Sequence, residues 1–496
     1  MEPTKKFSVV TWLIIIIASI GFLFDTYELL MTPLVAAPAI AELLQVPLNN
    51  PLVTAWVGRL LWISALCGGI FGLLGGWLVD RFGRKSIMAA SIFVYSLSPF
   101  CAAYAPNLAT FVFFRSTTFI GVCVEFVAAI TWLSEVFQDR REKEKWLGIT
   151  QMFASLGGVL VTAVSIWISA NIASLPDFGL PVGLGSSTPN SWRYLLMTGI
   201  LPAIPIALLL PFVPESQVWK ARRAAGTLKR PSFAALFSPE LRRVTLVTAI
   251  LSACAYGVAF GALQITVARV TPGLPDVAEQ AKELKPLQIE AKKLNTQLND
   301  LAKDDPGRAA VMGQIKANFV KQKPHNDEIK EYADTVQLHQ EMGGLVGRVL
   351  LAVLVIMGIK RVVLLKIFQV PLLIMVPLTY FVFFGTGGQT FLWAFAICGL
   401  LTVGQFSYFG EYLPKVFPMH LRGTGGSFAT NVGGRMVGTS MALVTTNFVA
   451  PMLAENPAVV LPADIAAAAG YVATTIAAIA LVVGLFLPEP KQEAAD

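Results

Sequence analysis

The stretch Gly75–Ser86, GGWLVDRFGRKS, places Asp80, Arg81, Arg84 and Lys85 within six residues. On either side the chain is free of charge, from Leu60 to Val79 before it and from Ile87 to Val112 after it. A run of about 18 or more apolar residues is long enough to cross the hydrocarbon of a bilayer, so a charged turn between two such runs reads as a loop joining two spanning helices. The rest of the 496-residue chain has the same character, with 55% hydrophobic and 14% charged residues and a mean hydropathy of +0.64. Soluble domains carry about 25% charged residues. About twelve apolar runs follow one another, from Val9–Pro33 to Ile465–Leu487. The first is too long for a secretory signal, and Asp25 and Glu28 interrupt it, so it reads as a retained helix. The expected fold class is therefore an all-α integral membrane protein of about twelve spanning helices.

Charge placement orients the bundle, because cytoplasmic loops collect Lys and Arg. Lys5 and Lys6, DRFGRK, QDRREKEK and the Pro214–Arg243 segment are cationic, as are the turns at Lys360–Lys366 and Lys415–Arg422. The alternate loops Val35–Thr54, Ala105–Asn107 and Asn171–Trp192 hold no Lys or Arg. This predicts a multi-pass protein of the cytoplasmic membrane with both termini on the cytoplasmic side. The net charge of +7 is accounted for by these loops and calls for no nucleic-acid partner. Cys67, Cys101, Cys123, Cys254 and Cys398 all fall in apolar runs, where a reduced thiol behaves as a small hydrophobe. No metal-ligand spacing, phosphate loop or nucleophile–base constellation is present. These absences argue against an enzyme and against a bound cofactor, leaving an ion gradient as the energy source.

The chain repeats itself weakly. At an offset of 280, SEVFQDRR (Ser134–Arg141) aligns with PKVFPMHL (Pro414–Leu421), and Asp80–Arg81 falls on Lys360–Arg361. Repeats of about six helices are a common build of secondary transporters, with the binding site between them at the midplane. The reading divides the chain into a six-helix bundle (1–213), a cytoplasmic linker (214–243), helix 7 (244–270), an exterior helical insertion (271–342) and the rest of the second bundle (343–496).

Gly76-x-x-x-Asp80-Arg81-x-Gly83-Arg84-Lys85 resembles the loop between helices two and three of the major facilitator superfamily. Pro214-Glu215-Ser216 and the RGTGG beginning at Arg422 strengthen the likeness. The resemblance implies secondary transport by alternating access and a cytoplasmic gate built from Gly76, Asp80, Arg81, Gly83, Arg84, Lys85, Glu135 and Arg422. In it, Asp80 would cap helix eleven, and Arg84 or Arg81 would pair with Glu135. Positive-inside anchoring is the plainer alternative for the same cations.

Charges inside spans are costly, about 2.5–3.5 kcal/mol each at the bilayer centre, and so default to functional hypotheses. Span 1 carries Asp25 and Glu28, and span 4 carries Arg115 and Glu125. Counted from the ends of their runs, Asp25 and Arg115 lie at similar depth, which predicts an Asp25–Arg115 pair able to couple a proton to a conformational change. A permanent tie between spans 1 and 4 is the alternative. DTYE in span 1 and the stretch ending at Glu125 resemble, with substitutions, motifs of aromatic-acid:proton and metabolite:proton symporters, as does NVGGR (Asn431–Arg435). That resemblance implies a small carboxylate or other metabolite as substrate. Arg435 could bind an anion or pack through a carbonyl. Tyr256, Gln264, Trp393, Gln405 and Asn431 are polar candidates for substrate contact, and Arg59 is expected to snorkel. A sugar facilitator, a proton-driven exporter and a non-transporting sensor stay open; the G-P pair of drug antiporters is missing from span 5.

In the insertion, Leu284, Leu287, Ala291, Leu294, Leu298 and Leu301 keep heptad spacing, and Val311, Ile315 and Phe319 continue at helical spacing. This predicts two or three short amphipathic helices capping the exterior, as a lid, a partner-binding hairpin or an ornament on a monomer.

Overall fold

The computed structural model describes residues 7–488 apart from 49, 138–139, 184–188, 227–232, 301–306, 419–420 and 458. Twelve helices among the described residues are long and apolar enough to cross a membrane, and no strand occurs among them. Spans 1 to 6 are Val9–Leu44, Pro51–Val79, Arg84–Ala103, Leu108–Leu133, Met152–Asn171 and Ser191–Phe212. Spans 7 to 12 are Arg242–Gly273, Ala309–Ile356, Arg361–Thr386, Gly388–Gly410, Thr424–Leu453 and Pro462–Gly484.

Local chemistry sets the ends of the early spans. The Ser8 hydroxyl accepts from the Thr11 amide at 3.1 Å, Asn50 Oδ1 from the Leu52 amide at 2.9 Å, and Asn107 Oδ1 from the Thr110 amide at 2.9 Å. Each satisfies a donor that the first helical turn leaves without an intrahelical partner. Between spans 2 and 3 the chain turns on Gly83 at φ +102°. A Cβ there would stand 2.2 Å from a Glu215 carboxylate oxygen, so both backbone conformation and space demand glycine.

Contacts sort the spans into the two bundles that the repeat predicted. Span 1 packs on 5, and spans 2 and 3 on 4; in the second half span 7 packs on 11, 8 on 10, and 9 on 12. The bundles meet along spans 2 and 11 and along spans 5 and 8. Within the first bundle, spans 1 and 5 touch backbone to backbone, since a Cβ on Gly157 would lie 1.9 Å from the Leu23 carbonyl oxygen. Gly157→Ala is therefore expected to cost about 1–3 kcal/mol by overpacking, lowering the thermal midpoint by several degrees in detergent. Gly76→Ala, whose Cβ meets nothing within 4 Å, should leave it unchanged; equal shifts would refute the close-packing account.

The insertion departs from expectation. It forms one hairpin: a first limb, Ala278–Asp300, and a second limb inside a single helix, Gly307–Ile356, that runs straight into span 8. Pro324 sits within that helix without ending it, so the boundary expected at 342/343 does not exist. Along the heptad seam Leu284, Ala291 and Leu294 are buried and Leu287 and Leu298 half-buried; Ile315 and Ile329 of the second limb are buried too, Ile329 in one cluster with Leu284. Polar bonds join the limbs, with Asn318 Nδ2 donating to Glu290 at 2.7 Å and Gln280 Nε2 to Glu328 at 2.6 Å. Residues 301–306, between the limbs, lie outside the described residues.

Candidate functional site

Span 1 carries two buried carboxylates at positions 25 and 28, and the structure gives each its own cation. Asp25 Oδ2 accepts from Arg435 Nη2 of span 11 at 3.1 Å, an ion pair across the two bundles. Glu28 Oε2 stands 3.7 Å from Arg115 Nη1 of span 4, and Arg115 Nη2 also donates to the Glu28 carbonyl and to Thr32 Oγ1. The expected Asp25–Arg115 pair does not form. Its depth count assumed that span 1 ends near Pro33, whereas the helix continues through Pro33 and Pro38 to Leu44. Arg115 instead meets span 1 at Glu28 and Thr32, about one and two turns nearer that helix end than Asp25.

Arg435 is held from several directions. Nη1 donates to the Val122 carbonyl at 3.3 Å and to Asn431 Oδ1 at 3.4 Å, and the guanidinium lies 5.0 Å from the centre of the Phe126 ring. It sits in a π-helical stretch, Phe428–Gly438, a local widening often found at functional sites. Asn431 supports Arg435 and faces span 2 at Gly72.

A cavity of about 90 Å³ adjoins this pair, lined by Asp25, Arg435, Tyr256, Gln264, Glu341 and Arg348 together with the rings of Phe22, Phe126, Phe260 and Phe406. Tyr256 packs its ring 4.5 Å from Phe406. A smaller space of about 50 Å³ continues between span 4 (Phe126, Ile130, Thr131) and span 10 (Phe409, Leu413), towards the side of the charged loops.

Of the sequence-predicted substrate residues, Tyr256, Gln264 and Arg435 reach the cavity. Trp393 does not: it is 62% exposed on the outer face of span 10, its ring edge-on to His339 at 5.7 Å. Gln405 also points elsewhere, donating to the Leu401 carbonyl at 3.0 Å and lining a small pocket with Gln369 and Cys254. The cavity face of span 10 runs through Val403, Phe406 and Gly410, about 100–160° away from Gln405 at 100° per residue. Glu125 is fully buried beside Gly21 and Met88; it does not line the cavity but lies within electrostatic reach of Asp25 and Arg435, and its carboxylate has no hydrogen-bond partner among the described residues. Arg59 is exposed, its guanidinium 5.3 Å from the Trp56 ring centre, as a snorkelling side chain would be.

Glu341 and Arg348 were missed. They stand seven residues apart on one face of EMGGLVGR, a signal hidden by placing the start of span 8 at Gly343. Arg348 lies within electrostatic reach of Glu341, Tyr256 and Asp25.

The loop that opened the sequence reading forms a buried polar cluster. Arg84, 3% exposed, donates through Nη2 to Glu135 Oε1 at 2.9 Å and through Nε to both carboxylate oxygens. Its Nη1 donates to the Val79 carbonyl at 3.0 Å. Glu215 accepts from the amides of Arg84 (2.9 Å) and Lys85 (3.1 Å), a carboxylate at the positive end of span 3. Arg81 is exposed and lies on the Trp77 ring, 5.0 Å from its centre, leaving Arg84 as the partner of Glu135. The described cluster ties elements of one bundle together. The side chains of Asp80 and Arg422, and with them the expected cap on span 11, lie outside the described residues.

Comparisons with known proteins agree with this architecture. A model of the Major Facilitator Superfamily matches residues 11–278, more than half of the chain. The niacin transporter NiaP of Acinetobacter baylyi is 27% identical over 205 residues, covering 40% of each chain. The 4-hydroxybenzoate transporter PcaK of Pseudomonas aeruginosa is 32% identical over 166 residues, covering 33% of each. The cis,cis-muconate transport protein of Acinetobacter baylyi is 25% identical over 51% of this chain and 54% of its own. The matched region thus spans about half or less of these relatives. The partially occluded, inward-open form of the xylose transporter XylE from E. coli shares the fold, with a TM-score of 0.64 over 98% of this chain and 100% of that one at 16% identity. The chain belongs to the Major Facilitator Superfamily.

Proposed function

We propose that the protein carries a small organic acid across the cytoplasmic membrane by alternating access, in symport with protons and as a monomer. The observation that carries the reading is the Asp25–Arg435 pair, 3.1 Å long, buried beside the central cavity and made of one residue from each bundle. An ion pair between two bodies that must move apart is a switch that protonation of its carboxylate can release. Arg348 and Arg435 supply guanidinium donors matched to a carboxylate, and Phe126, Tyr256, Phe260 and Phe406 supply ring-lined apolar walls. Relatives named for 4-hydroxybenzoate, niacin and muconate support an organic acid as substrate. The cationic loops support a cytoplasmic location for the DRFGRK side and both termini.

Alternating access assigns roles to the two ends. The cavity continues towards the cationic side between spans 4 and 10. On the insertion side spans 5 and 8 are in contact, and Gln337 Nε2 donates to the Leu30 carbonyl at 3.2 Å. Proteoliposomes loaded with a pH-sensitive dye test the reading. External 4-hydroxybenzoate, nicotinate or muconate should acidify the lumen, and a protonophore should abolish accumulation. Entry of label without any proton movement would remove the symport reading.

A further inference from the structure

The helix Gly307–Ile356 carries a stripe of polar residues that transport by the central cavity alone does not require. Gln322, Asn326, Lys330, Asp334, Gln337, Glu341 and Arg348 are spaced by four, four, four, three, four and seven. At 100° per residue this keeps all of them on one face over about 39 Å. Gln322, Asp334, Gln337, Glu341 and Arg348 are buried although they are polar. The inner end of the stripe, Glu341 and Arg348, lines the central cavity. Its outer end roofs a second chamber of about 190 Å³ on the insertion side.

That chamber lies between the bundles. Its floor is apolar, built from Pro33, Leu34 and Ala37 of span 1 and Val267 of span 7, with Trp192 at its side. Its charges balance: Lys323 and Lys330 stand against Asp327 and Asp334, and Glu42 is matched to Arg193 at 2.8 Å and to the Trp192 indole at 2.7 Å. Net charge therefore does not select a ligand here. Gln322 Nε2 donates to Asn318 Oδ1 and the Leu287 carbonyl, which leaves its Oε1 buried with no hydrogen-bond partner; Asn326 Oδ1 is in the same state one turn further in. Gln322 and Asn326, which carry these orphaned acceptors at a cost of about 1–3 kcal/mol each, line a cavity larger than the roughly 150 Å³ that holds a benzene ring.

A lock separates the chamber from the central cavity. Lys330 Nζ donates to Asp334 (2.9 Å) on its own helix and to Ser165 (3.0 Å) and Ser169 (2.9 Å) of span 5. Ser165 Oγ donates in turn to the Asp334 carboxylate at 3.1 Å. These bonds join the second limb to the opposite bundle and must break for the outer half to open.

We propose that the exterior chamber is a second binding site, taking a single-ring molecule through its O–H or N–H donors to Gln322 and Asn326. The polar stripe then leads the ligand to the central cavity when the Lys330–Asp334–Ser165–Ser169 lock opens. This second step rests on the transport reading; binding in the chamber does not.

The test is maleimide labelling of Ala333→Cys, a chamber-lining position, in nanodiscs with wild type as the background. The probes are 4-hydroxybenzoate and neutral 4-hydroxybenzamide, with methyl benzoate as a ring lacking donors. Protection by a site ligand grows as one plus its concentration over Kd, about tenfold at ten times Kd. Both donor-bearing probes should protect, methyl benzoate at least about tenfold more weakly. Gln322→Leu/Asn326→Leu should lose protection while its unprotected labelling rate stays that of the parent. Asp25→Asn, at a residue outside the chamber lining, should keep it. Protection by no donor-bearing probe, equal protection by methyl benzoate, or loss of protection in Asp25→Asn overturns the chamber site. Protection without uptake removes the organic-acid transport reading and leaves the site; uptake without protection does the reverse.

Discussion

Asp25→Asn is expected to abolish substrate-driven acidification of proteoliposomes and to lower accumulation of labelled substrate about 100-fold or more. The scale follows from leaving Arg435 buried and unpaired, since removing one partner of a buried ion pair costs about 3–5 kcal/mol and each 1.4 kcal/mol is about a factor of ten. The pair joins span 1 to span 11 at 3.1 Å, so the loss falls on the contact that the proposed cycle makes and breaks. A neutral double variant, Asp25→Asn/Arg435→Gln, separates the two roles of the pair. It should remove the unpaired charge and recover thermal stability, yet with no ionisable carboxylate left in the inter-bundle pair it should remain uncoupled. Recovery of proton-driven accumulation in the double variant would make the pair a structural tie and sink the coupling role.

The second large effect belongs to the charged turn. Arg84→Ala leaves the Glu135 carboxylate, with only 13% of its side chain exposed, without its guanidinium partner, and strips the Val79 carbonyl of a donor. The expected loss is about 3 kcal/mol, or roughly 6–12 °C in thermal midpoint for a bundle of this size. Arg81→Ala, a change to an exposed side chain on Trp77, should move the midpoint by less than about 2 °C, as surface substitutions do. Thermal unfolding of both variants in detergent decides the point: comparable shifts would mean that the turn acts through its total charge. Arg84→Ala/Glu135→Ala should regain part of the loss, because no uncompensated carboxylate remains.

Topology, the two-bundle plan and the charged turn were legible in the linear chain because each depends on local patterns. Hydrocarbon thickness sets the length of apolar runs, and charge avoids their interiors, so span count and loop positions follow from counting. The resemblance offered Arg84 or Arg81 as the partner of Glu135, and the structure places Arg84 there with Arg81 on Trp77. Inside the spans, counting fails. Asp25 was assigned to Arg115 by depth, but prolines at 33 and 38 do not end the first helix, and the true partner, Arg435, lies 410 residues away. Which face a residue presents was equally hidden: Trp393 and Gln405 share span 10 with Phe406, and only packing against spans 8 and 9 turns them away from the cavity.

The insertion shows the same division. Its heptad spacing announced paired helices, since that signal is local. That its second limb would fuse with span 8, and carry one polar stripe from the exterior chamber to Glu341 and Arg348, could not be counted from the chain. An apolar restart at Gly343 suggested a break, yet contacts with the first limb, span 5 and span 10 keep the helix continuous. Composition and periodicity thus determined that this protein spans a membrane with twelve helices in two related halves. Tertiary structure alone decided which charges meet, because buried ion pairs are chosen by the approach of surfaces far apart in the chain.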